Sequence, residues 1–446
     1  MNWLQIKQRI FISIFFILGS YNSLAFDPFA GSGLPADKAS AYIESLGYTT
    51  NEPQELPDGS YAMFLTGMMS ISVAPDHPQF IAERRDSFDA AVINAKSDFA
   101  KFLGSRIKGE MTLEIKRGKF PSPEEIQNAS SGTSAVDFYQ KAKLLLMSEL
   151  DKQLKENDVD IYTLQDQAAD NQKALDEAAA RAEKLLNERK FSQDIEQTAI
   201  RMVSGVQILG VWEDFTPGET KGTMAIAAVY SDKTLKLAQA ILNKDPSLSP
   251  KSDFLNPGMS IKETVQDFGA GLLTFQGTKL IKNEKGEPVL LSFGHSYLQM
   301  ETTEEKMIAE REASLKADGY LASFAGEMVS AFESLNGSST YSQLTDGEHL
   351  ERSGGYQSVE NVKFNLELSG VKKVVSWIQE HPLSGQKIVG VVKSWSPTSA
   401  MLADKAEKGE LSKKEETSSS DGNTLLESGT IEEGYSSEGT SSNLDF

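Results

Sequence analysis

One 28-residue unit occurs twice in this chain, without a gap in either copy. The first copy, SGVQILGVWEDFTPGETKGTMAIAAVYS, fills positions 204–231, and the second, SGVKKVVSWIQEHPLSGQKIVGVVKSWS, fills positions 369–396. Self-similarity at a fixed spacing constrains architecture more than any single motif, so we predict a tandem duplication of one module. The identical pairs are Ser204/Ser369, Gly205/Gly370, Val206/Val371, Trp212/Trp377, Pro217/Pro382 and Ser231/Ser396.

A second match precedes each copy of this SGV unit. The tetrapeptide Ile-Ala-Glu-Arg at 81–84 recurs at 308–311, followed in each case by matching Ser and Ala residues. These helix motifs lie 227 positions apart and the SGV units 165, which leaves 62 extra residues in the first copy. We therefore predict an insertion within the first module.

Length and charge bound the class of protein. At 446 residues the chain exceeds one typical hydrophobic core, so two or more domains are expected. Its formal charge of −20 argues against nucleic acid or an anionic membrane surface as the main partner, because either would repel it.

The first 25 residues have the pattern of a secretory signal peptide. Basic residues at 7 and 9 precede an apolar stretch at 10–18, and small residues at 23 and 25 meet the cleavage rule before Phe26. A membrane anchor is the alternative, although the apolar stretch is short for a bilayer. The chain has no cysteine, which removes disulfides and lipoprotein anchoring. We expect an exported protein, periplasmic or secreted, without stable membrane insertion after cleavage.

Periodicity predicts the elements of the first module. Apolar residues at spacings of three and four indicate an amphipathic helix over Gln79–Leu103. Met111, Leu113 and Ile115 alternate with polar residues, which predicts a strand. Two further predictions are a short helix at Ala36–Leu46 and a strand at Met63–Val73.

Residues 137–190 differ in kind and predict a helical hairpin inserted into the first module. Leucines at i, i+4 spacing form one arm, and the second arm carries a heptad-like seam typical of a coiled coil. Packing within the chain and packing on another chain both remain open. The seam positions are Ala142, Leu146, Leu150 and Leu154, then Ile161, Leu164, Ala168, Asn171, Leu175, Ala178, Ala182 and Leu185.

The second module is expected to begin with a hairpin and to end in the second SGV unit. We predict strands at Leu272–Leu280 and Pro288–Phe293 around a turn at Asn283–Gly286. Another strand carries Val362, Phe364, Leu366 and Leu368 on one face. Each SGV unit reads as two strands: Val206–Trp212 with Thr223–Tyr230, and Val371–Ile378 with Ile388–Trp395.

These patterns predict an α+β fold of two tandem modules, each with a helix packed on a small antiparallel sheet. The expected organisation is a signal peptide (1–25), an N-terminal extension (26–60), module one (61–245) with its hairpin, module two (255–400) and a tail (404–446). From position 415 onward the tail has eight acidic residues and no basic one amid Ser and Gly, which predicts disorder.

The chain spells out no reaction, and we predict no catalytic, cofactor-binding or metal residues. Its histidines (His77, His295, His349 and His381) have no paired-ligand spacing, and thiol chemistry is excluded. The acidic run of Asp158, Asp160, Asp166 and Asp170 lacks the central glycine of a calcium loop. A carboxylate pair for glycoside hydrolysis stays open. Two glycosylation triplets start at Asn128 and Asn336, and we attribute them to chance.

Four aromatic residues of the repeat are the most tempting binding residues. Trp212 and Trp377 occupy the same position in both copies, which favours a core role, because duplicated modules share packing before function. Tyr230 and Trp395 stand at strand ends, where core packing and ligand contact are both open.

The stretch IAERRDSFDAAVINAKSDFAKFLG, followed by VSGVQILGVWED, resembles a loose group of bacterial envelope proteins. These are small outer-membrane lipoproteins and the N-terminal domains of flagellar outer-ring assembly factors. In them an Ala-rich helix starting near an Arg, here Arg84, packs on a small antiparallel sheet. The resemblance implies a non-enzymatic envelope component and transfers no functional residue. The missing lipobox cysteine and the 62-residue insertion depart from the group.

Three hypotheses of function follow. The first is a non-enzymatic exported scaffold or assembly factor of the bacterial cell envelope, which holds envelope or secretion-machine proteins through its duplicated modules. The second is a periplasmic ligand-binding or hydrolytic protein with a site between the modules. The third is a secreted effector that uses its acidic C-terminus as an export signal.

Overall fold

The computed structural model describes residues 34–57, 60–117, 121–122, 124–125, 138–156, 172–215, 221–253, 255, 257–298, 300–325, 368–408 and 425–426. These residues form two α+β modules in tandem, as predicted, each with a helix laid on an antiparallel sheet. The predicted signal peptide and most of the acidic tail lie outside the described residues.

Over the described residues, module one and module two share one order of elements, helix-strand-strand-helix-strand-strand-helix, and module one has three further helices before its third strand. Module one contains α1 (Pro35–Ser45), β1 (Pro53–Glu55), β2 (Tyr61–Ile71), α2 (Phe80–Lys116), α3 (Phe138–Glu156), α4 (Gln172–Leu186), α5 (Arg189–Met202), β3 (Gln207–Asp214), β4 (Gly222–Ser231) and α6 (Asp232–Leu242). Module two contains α7 (Ile261–Asp267), β5 (Gly277–Lys282), β6 (Pro288–Tyr297), α8 (Thr303–Ala325), β7 (Lys372–Glu380), β8 (Lys387–Trp395) and α9 (Pro397–Glu407).

The two sheets have the same strand order. The first is β1-β2-β4-β3 and the second is β5-β6-β8-β7, to whose outer edge a short strand β9 (Leu425–Leu426) adds in parallel. Met63 pairs with Tyr230 in the first sheet, and Leu290 pairs with Trp395 in the second. Because Tyr230 and Trp395 are matched in the repeat, the two sheets also share one register.

The central helix of each module rests on a glycine of the second strand. A Cβ atom at Gly67 would lie 2.0 Å from the Ala91 carbonyl oxygen, and a Cβ atom at Gly294 would lie 2.1 Å from the Ala313 carbonyl oxygen. Glycine is required at both positions because the helix backbone approaches the strand so closely. Ala91 and Ala313 are therefore equivalent, and they lie 222 positions apart.

The sequence match of the two helix motifs is thus five residues out of register. Ile81 is buried whereas Ile308 is 48% exposed, and Arg84 is buried whereas Arg311 is exposed. The tetrapeptides at 81–84 and 308–311 are identical in sequence but lie in different surroundings. An Ala-rich helix can be aligned with another in several similar registers, so the match does not identify equivalent positions. The equivalence of the two modules is supported instead by their common strand order and by the matching contacts between helix and glycine.

Two identical positions of the SGV unit, its glycine and its final serine, contact the helix that follows the unit. Gly205 and Gly370 have φ angles of 80° and 84°, a left-handed conformation that favours glycine. A Cβ atom there would lie 2.6 Å from the Thr234 carbonyl oxygen in module one and 2.5 Å from the backbone of Ala400 in module two. The unit's last residue, Ser231 or Ser396, caps that helix with a capping box.

The repeated tryptophans belong to the core, as expected from their duplication. Trp212 is fully buried beneath α1, with its ring centroid 5.5 Å from that of Tyr42. Trp377 is 1% exposed and lies 5.2 Å from the His295 ring. The repeated tryptophan therefore contacts a different group in each module, Tyr42 of α1 in module one and His295 in module two.

The predicted strand through Met111, Leu113 and Ile115 is wrong, since α2 continues to Lys116. Met111 and Ile115 are fully buried and Leu113 is 53% exposed. Ile107, Met111 and Ile115 are spaced by four and line one face of the helix, and this spacing overrides the local alternation.

The predicted helical insertion packs within the chain over its described part. The C-terminal half of α2 forms a bundle with α3, α4 and α5, in which Leu150, Leu154, Ala182 and Leu186 are fully buried. Helix α5, which leads into β3, was not predicted. The seam positions Ile161, Leu164, Ala168 and Asn171 lie outside the described residues.

Several boundaries differ from the prediction. The helix and strand at 35–45 and 53–55 belong to module one, because α1 covers its sheet and β1 extends it. Residues 269–273 form a 3₁₀ helix rather than the start of a strand, and β5 begins at Gly277. Helix α9 passes the predicted start of the tail at 404, and β9 pairs with the sheet. Of the predicted strand residues Val362, Phe364, Leu366 and Leu368, only Leu368 is described, and it belongs to no strand.

Candidate functional site

A buried ion pair joins the two modules. The Arg84 side chain on α2 contacts Glu213 on β3, with its Nε donating to Glu213 Oε1 at 2.6 Å. Its Nη2 donates to the carbonyl oxygen of Leu273, in module two, at 2.8 Å. Arg84 and Glu213 are 1% and 0% exposed, so their charges compensate each other away from water.

Two histidines of module two lie beside this pair. His295, on β6, is 2% exposed, and His381, directly after β7, is 0% exposed and meets the Phe80 ring edge-on at 5.2 Å. Burial holds the pKa of both imidazoles well below its usual value, and the Arg84 charge lowers the pKa further. Both rings are therefore neutral when the module junction is closed.

A second set of polar contacts joins α2 to α8. Lys96 is 5% exposed, and its Nζ donates to the backbone and side-chain oxygens of Ser323, both at 2.8 Å. Burial lowers the pKa of Lys96 to about 7. Tyr320 donates its hydroxyl proton to Asp89 Oδ1 at 2.8 Å, and burial, followed by the Asp89 charge, raises the Tyr320 pKa well above its usual value.

These junction contacts fix the two modules against each other. The Gly205 N–H of module one also donates to the Phe324 carbonyl oxygen of α8 at 2.7 Å. Within the described residues, no group of three His, Asp or Glu side chains is placed to hold a metal ion. The arrangement can align the modules, and its polar atoms are enclosed by packing rather than presented to a solute.

The sequence carries one signal for this junction, a charged residue at a core-facing position. Arg84 stands at a core-facing position of the predicted helix, between Phe80 and Phe88, and Glu213 follows the buried Trp212. A charge at a position that the periodicity assigns to the core needs a partner. The contact with His295 and His381 had no such signal, because the residues are far apart in the chain.

The other residues singled out in the sequence fall elsewhere. His77 is exposed in the turn before α2, where its Nδ1 accepts from the Gln79 N–H at 3.2 Å. Tyr230 is half-buried against Phe99, with ring centroids 4.6 Å apart. His349, the four aspartates at 158–170, Asn128 and Asn336 lie outside the described residues.

The outer edges of the two sheets differ in what covers them. In module one the edge strand is β3, and β5 of module two lies alongside it, with the Leu280 N–H donating to Gln207 Oε1 at 2.6 Å. The equivalent edge in module two is β7, where Lys372 replaces Gln207. Both strands carry a bulge at the matching place, after Ile208 and after Lys373.

Over the described part of the chain, the outer edge of β7 is paired at two positions. Ser376 pairs with Leu425 and Trp377 with Leu426, in parallel. Lys372 and Glu380 at the strand ends are exposed, and Lys373 forms an ion pair with Glu310 of α8. A strand of nine residues thus offers most of one backbone edge to another segment.

A cavity of about 370 Å³ lies where α6 of module one meets β8 and α9 of module two. Trp395 forms part of its wall, and the indole Nε1 donates to the Ser369 carbonyl oxygen at 3.2 Å. The wall combines apolar Ile241, Trp395 and Ala400 with charged Lys244, Asp404 and Glu407. Core packing and ligand contact were the two alternatives for Trp395. The residue is 2% exposed, so it packs in the core, and it also borders the cavity.

No helix among the described residues has the length and apolar character needed to cross a membrane.

Comparison with known proteins gives little that bears on activity. Residues 136–243 match a family described as a domain of unknown function, DUF6844, and this span runs from the inserted helices through α6. The 2.3 Å crystal structure of hypothetical protein FTT1539c from Francisella tularensis is similar over 83% of this chain and 95% of that chain, with 16% identity and a TM-score of 0.46. No curated protein matches the chain.

Proposed function

We propose that this protein is a non-enzymatic, exported scaffold or assembly factor of the bacterial cell envelope, and that it binds an extended segment of a protein partner along β7. The observation that carries the proposal is the contrast between the two equivalent edges. Module two covers the β3 edge, whereas within the described residues only two positions of β7 are paired along its outer edge.

Strand addition suits this edge physically. Backbone N–H and C=O groups of an edge strand are strong hydrogen-bonding groups, and an added strand satisfies them while side-chain pockets set specificity. Exposed lysines discourage pairing between copies of the same edge, and Lys372 has this role here. The same positive charge favours a partner segment that carries an acidic residue.

The rigid junction supports the same role. The Arg84–Glu213 pair and the Lys96–Ser323 contact hold module one and module two in one relative orientation. A partner docked on β7 would therefore be held at a fixed position relative to the inserted helices α3, α4 and α5, which offer a second surface.

Site-directed photocrosslinking in intact cells tests the proposal. A photoreactive residue replaces Lys372 at the β7 edge, and a matched control replaces Lys236, which is exposed on α6. We expect adducts at position 372 with an envelope protein, mapped by mass spectrometry to one contiguous segment of that protein. Equal labelling at both positions, or adducts with cytoplasmic proteins, would contradict the proposal. N-terminal sequencing checks export, with Phe26 as the expected first residue.

The cavity beside Trp395 favours a second candidate, a ligand-binding protein with its site between the modules. Its apolar wall and charged rim suit a small amphipathic molecule. Thermal-shift screening against glycans, peptides and divalent ions distinguishes the candidates, because a ligand raises the melting temperature by mass action. A ligand that also changes Trp395 fluorescence would favour the cavity over the β7 edge.

A further inference from the structure

We propose that the β7 edge binds a parallel peptide in which two adjacent apolar residues follow an acidic residue, and that the chain's own Leu425–Leu426 segment is its resting occupant. This inference rests on the proposed function and adds the chemistry of the partner segment and its competition with the tail.

The orientation of β9 fixes the polarity of the occupant. Leu425 lies opposite Ser376 and Leu426 opposite Trp377, in parallel. In a parallel pair both chains run the same way, so residues that precede the apolar pair approach the Lys372 end of β7, and residues that follow it approach the Glu380 end. The site therefore favours an acidic residue before the apolar pair and disfavours one near Glu380.

The tail has this pattern of charge. Asp421 stands four residues before Leu425, as Lys372 stands four before Ser376. Gly429 stands four residues after Leu425, as Glu380 stands four after Ser376. An acidic residue thus precedes the apolar pair on the side of the exposed lysine, and Glu427 follows the pair two positions before Gly429.

The length of β9 makes its occupancy displaceable. A two-residue ladder contributes only a few backbone hydrogen bonds, and each adds little net stability because it replaces a hydrogen bond to water. Helix α9 ends at Glu407, so the 17 residues from 408 to 424 tether β9 to the sheet. A partner that pairs with more of β7 competes successfully with two residues held in this way.

The test uses the full-length chain with Leu425→Pro and Leu426→Pro together. Proline removes the backbone N–H and cannot join a ladder, so β9 is released without altering β7. The probe is a fluorescein-labelled peptide of residues 419–430. If the tail occupies the edge nine-tenths of the time, the peptide binds the variant about tenfold more tightly than the wild type. Hydrogen exchange at the amides of residues 374–379 should be faster in the variant, and the peptide should slow it again.

Two matched controls separate occupancy from non-specific effects. Prolines at Ser436 and Ser437 alter the same tail away from the pairing, and they should leave peptide binding and exchange as in the wild type. Lys372→Glu, added to the Leu425→Pro/Leu426→Pro chain, should weaken peptide binding about tenfold and reduce its dependence on salt. Equal peptide affinity and equal exchange in the wild type and the proline variant would overturn the inference. A concentration-dependent dimer lost in the proline variant would overturn it too, since the occupant would then be another copy's tail.

Failure of this inference is distinguishable from failure of the proposed function. Crosslinks from position 372 to an envelope protein, with no effect of the tail prolines, would leave the scaffold role and remove the resting occupant. Peptide binding that depends on the tail, with no partner captured in cells, would leave the β7 site and remove the scaffold role.

Discussion

Module one and module two have the same internal construction but different neighbours. Each seats its central helix on a glycine, caps its last helix with the final serine of the SGV unit, and buries the repeated tryptophan. Outside these contacts they diverge: α1 covers Trp212, whereas Trp377 faces His295 at the junction. Duplication has preserved what each module needs to fold, and the differences lie where each module meets something else.

The largest expected effect comes from breaking the junction on the module-one side. Glu213→Gln leaves the Arg84 charge buried without a counter-charge, which typically costs about 3–5 kcal/mol. We expect the free energy of unfolding in urea to fall by that amount. Asp98→Asn is the control, because the Asp98–Lys101 pair lies at the surface of α2 and an exposed pair contributes less than about 1 kcal/mol. Similar losses in both variants would refute a special role for the junction.

The two glycines that contact the central helices, Gly67 and Gly294, test whether the two modules pack in the same way. Gly67→Val and Gly294→Val each place a side chain about 2 Å from a helix carbonyl oxygen, so α2 and α8 must shift. We expect each variant to lose about 3 kcal/mol, which the midpoint of denaturant unfolding reports. Gly109→Ala on α2, where a Cβ meets nothing within 4 Å, should be neutral or stabilising. A loss in only one module would break the structural equivalence.

Lowering the pH should destabilise the protein through the two buried histidines of the junction. The pKa of His295 and of His381 is lowered in the folded state, so the unfolded chain gains their protons first as the pH falls below about 6.5. Their contribution is complete above that pH, and each costs up to about 1.4 kcal/mol of unfolding free energy per pH unit below it. Unfolding measured from pH 7 to 5 should depend less steeply on pH in His295→Gln and His381→Gln. A pH dependence that stays the same or becomes steeper in either variant would contradict the assignment.

The helix caps give the smallest and most symmetric effect. Ser231→Ala and Ser396→Ala each remove a capping box, and loss of an N-cap typically costs about 1 kcal/mol. Thermal unfolding should report similar losses for both. An effect in one module and none in the other would mean that the final serine of the repeat is retained for different reasons.

The sequence predicted the parts of the fold that depend on local pattern. The strands of both SGV units and the insertion of helices were visible, because alternation and i, i+4 spacing report which face a residue buries. Met111 and Ile115 were misassigned where both patterns fit the same residues, and the continuing spacing from Ile107 decides in favour of a helix. The match at 81–84 and 308–311 failed because small residues on a helix align at several registers.

The candidate site depended on information that lies outside local pattern. Strand order places both β3 and β7 at the outer edge of a sheet, and the docking of module two covers β3; neither strand's own residues reveal this. The meeting of His381 with Arg84 likewise requires the two modules to be docked. Only the buried charge of Arg84, at a core-facing position of a predicted helix, offered a clue.

The hydrogen bond from Gly205 to Phe324 bears on how the protein is made. The Phe324 carbonyl oxygen near the end of α8 accepts a hydrogen bond from the Gly205 N–H, which belongs to the earlier half of the chain. The half that is synthesised first therefore contacts a helix of the half that is synthesised second. Two fragments divided near residue 250 should then reassociate when co-expressed, and the later fragment alone should have a frayed α8. The first module thus supplies a backbone hydrogen bond to a helix of the second.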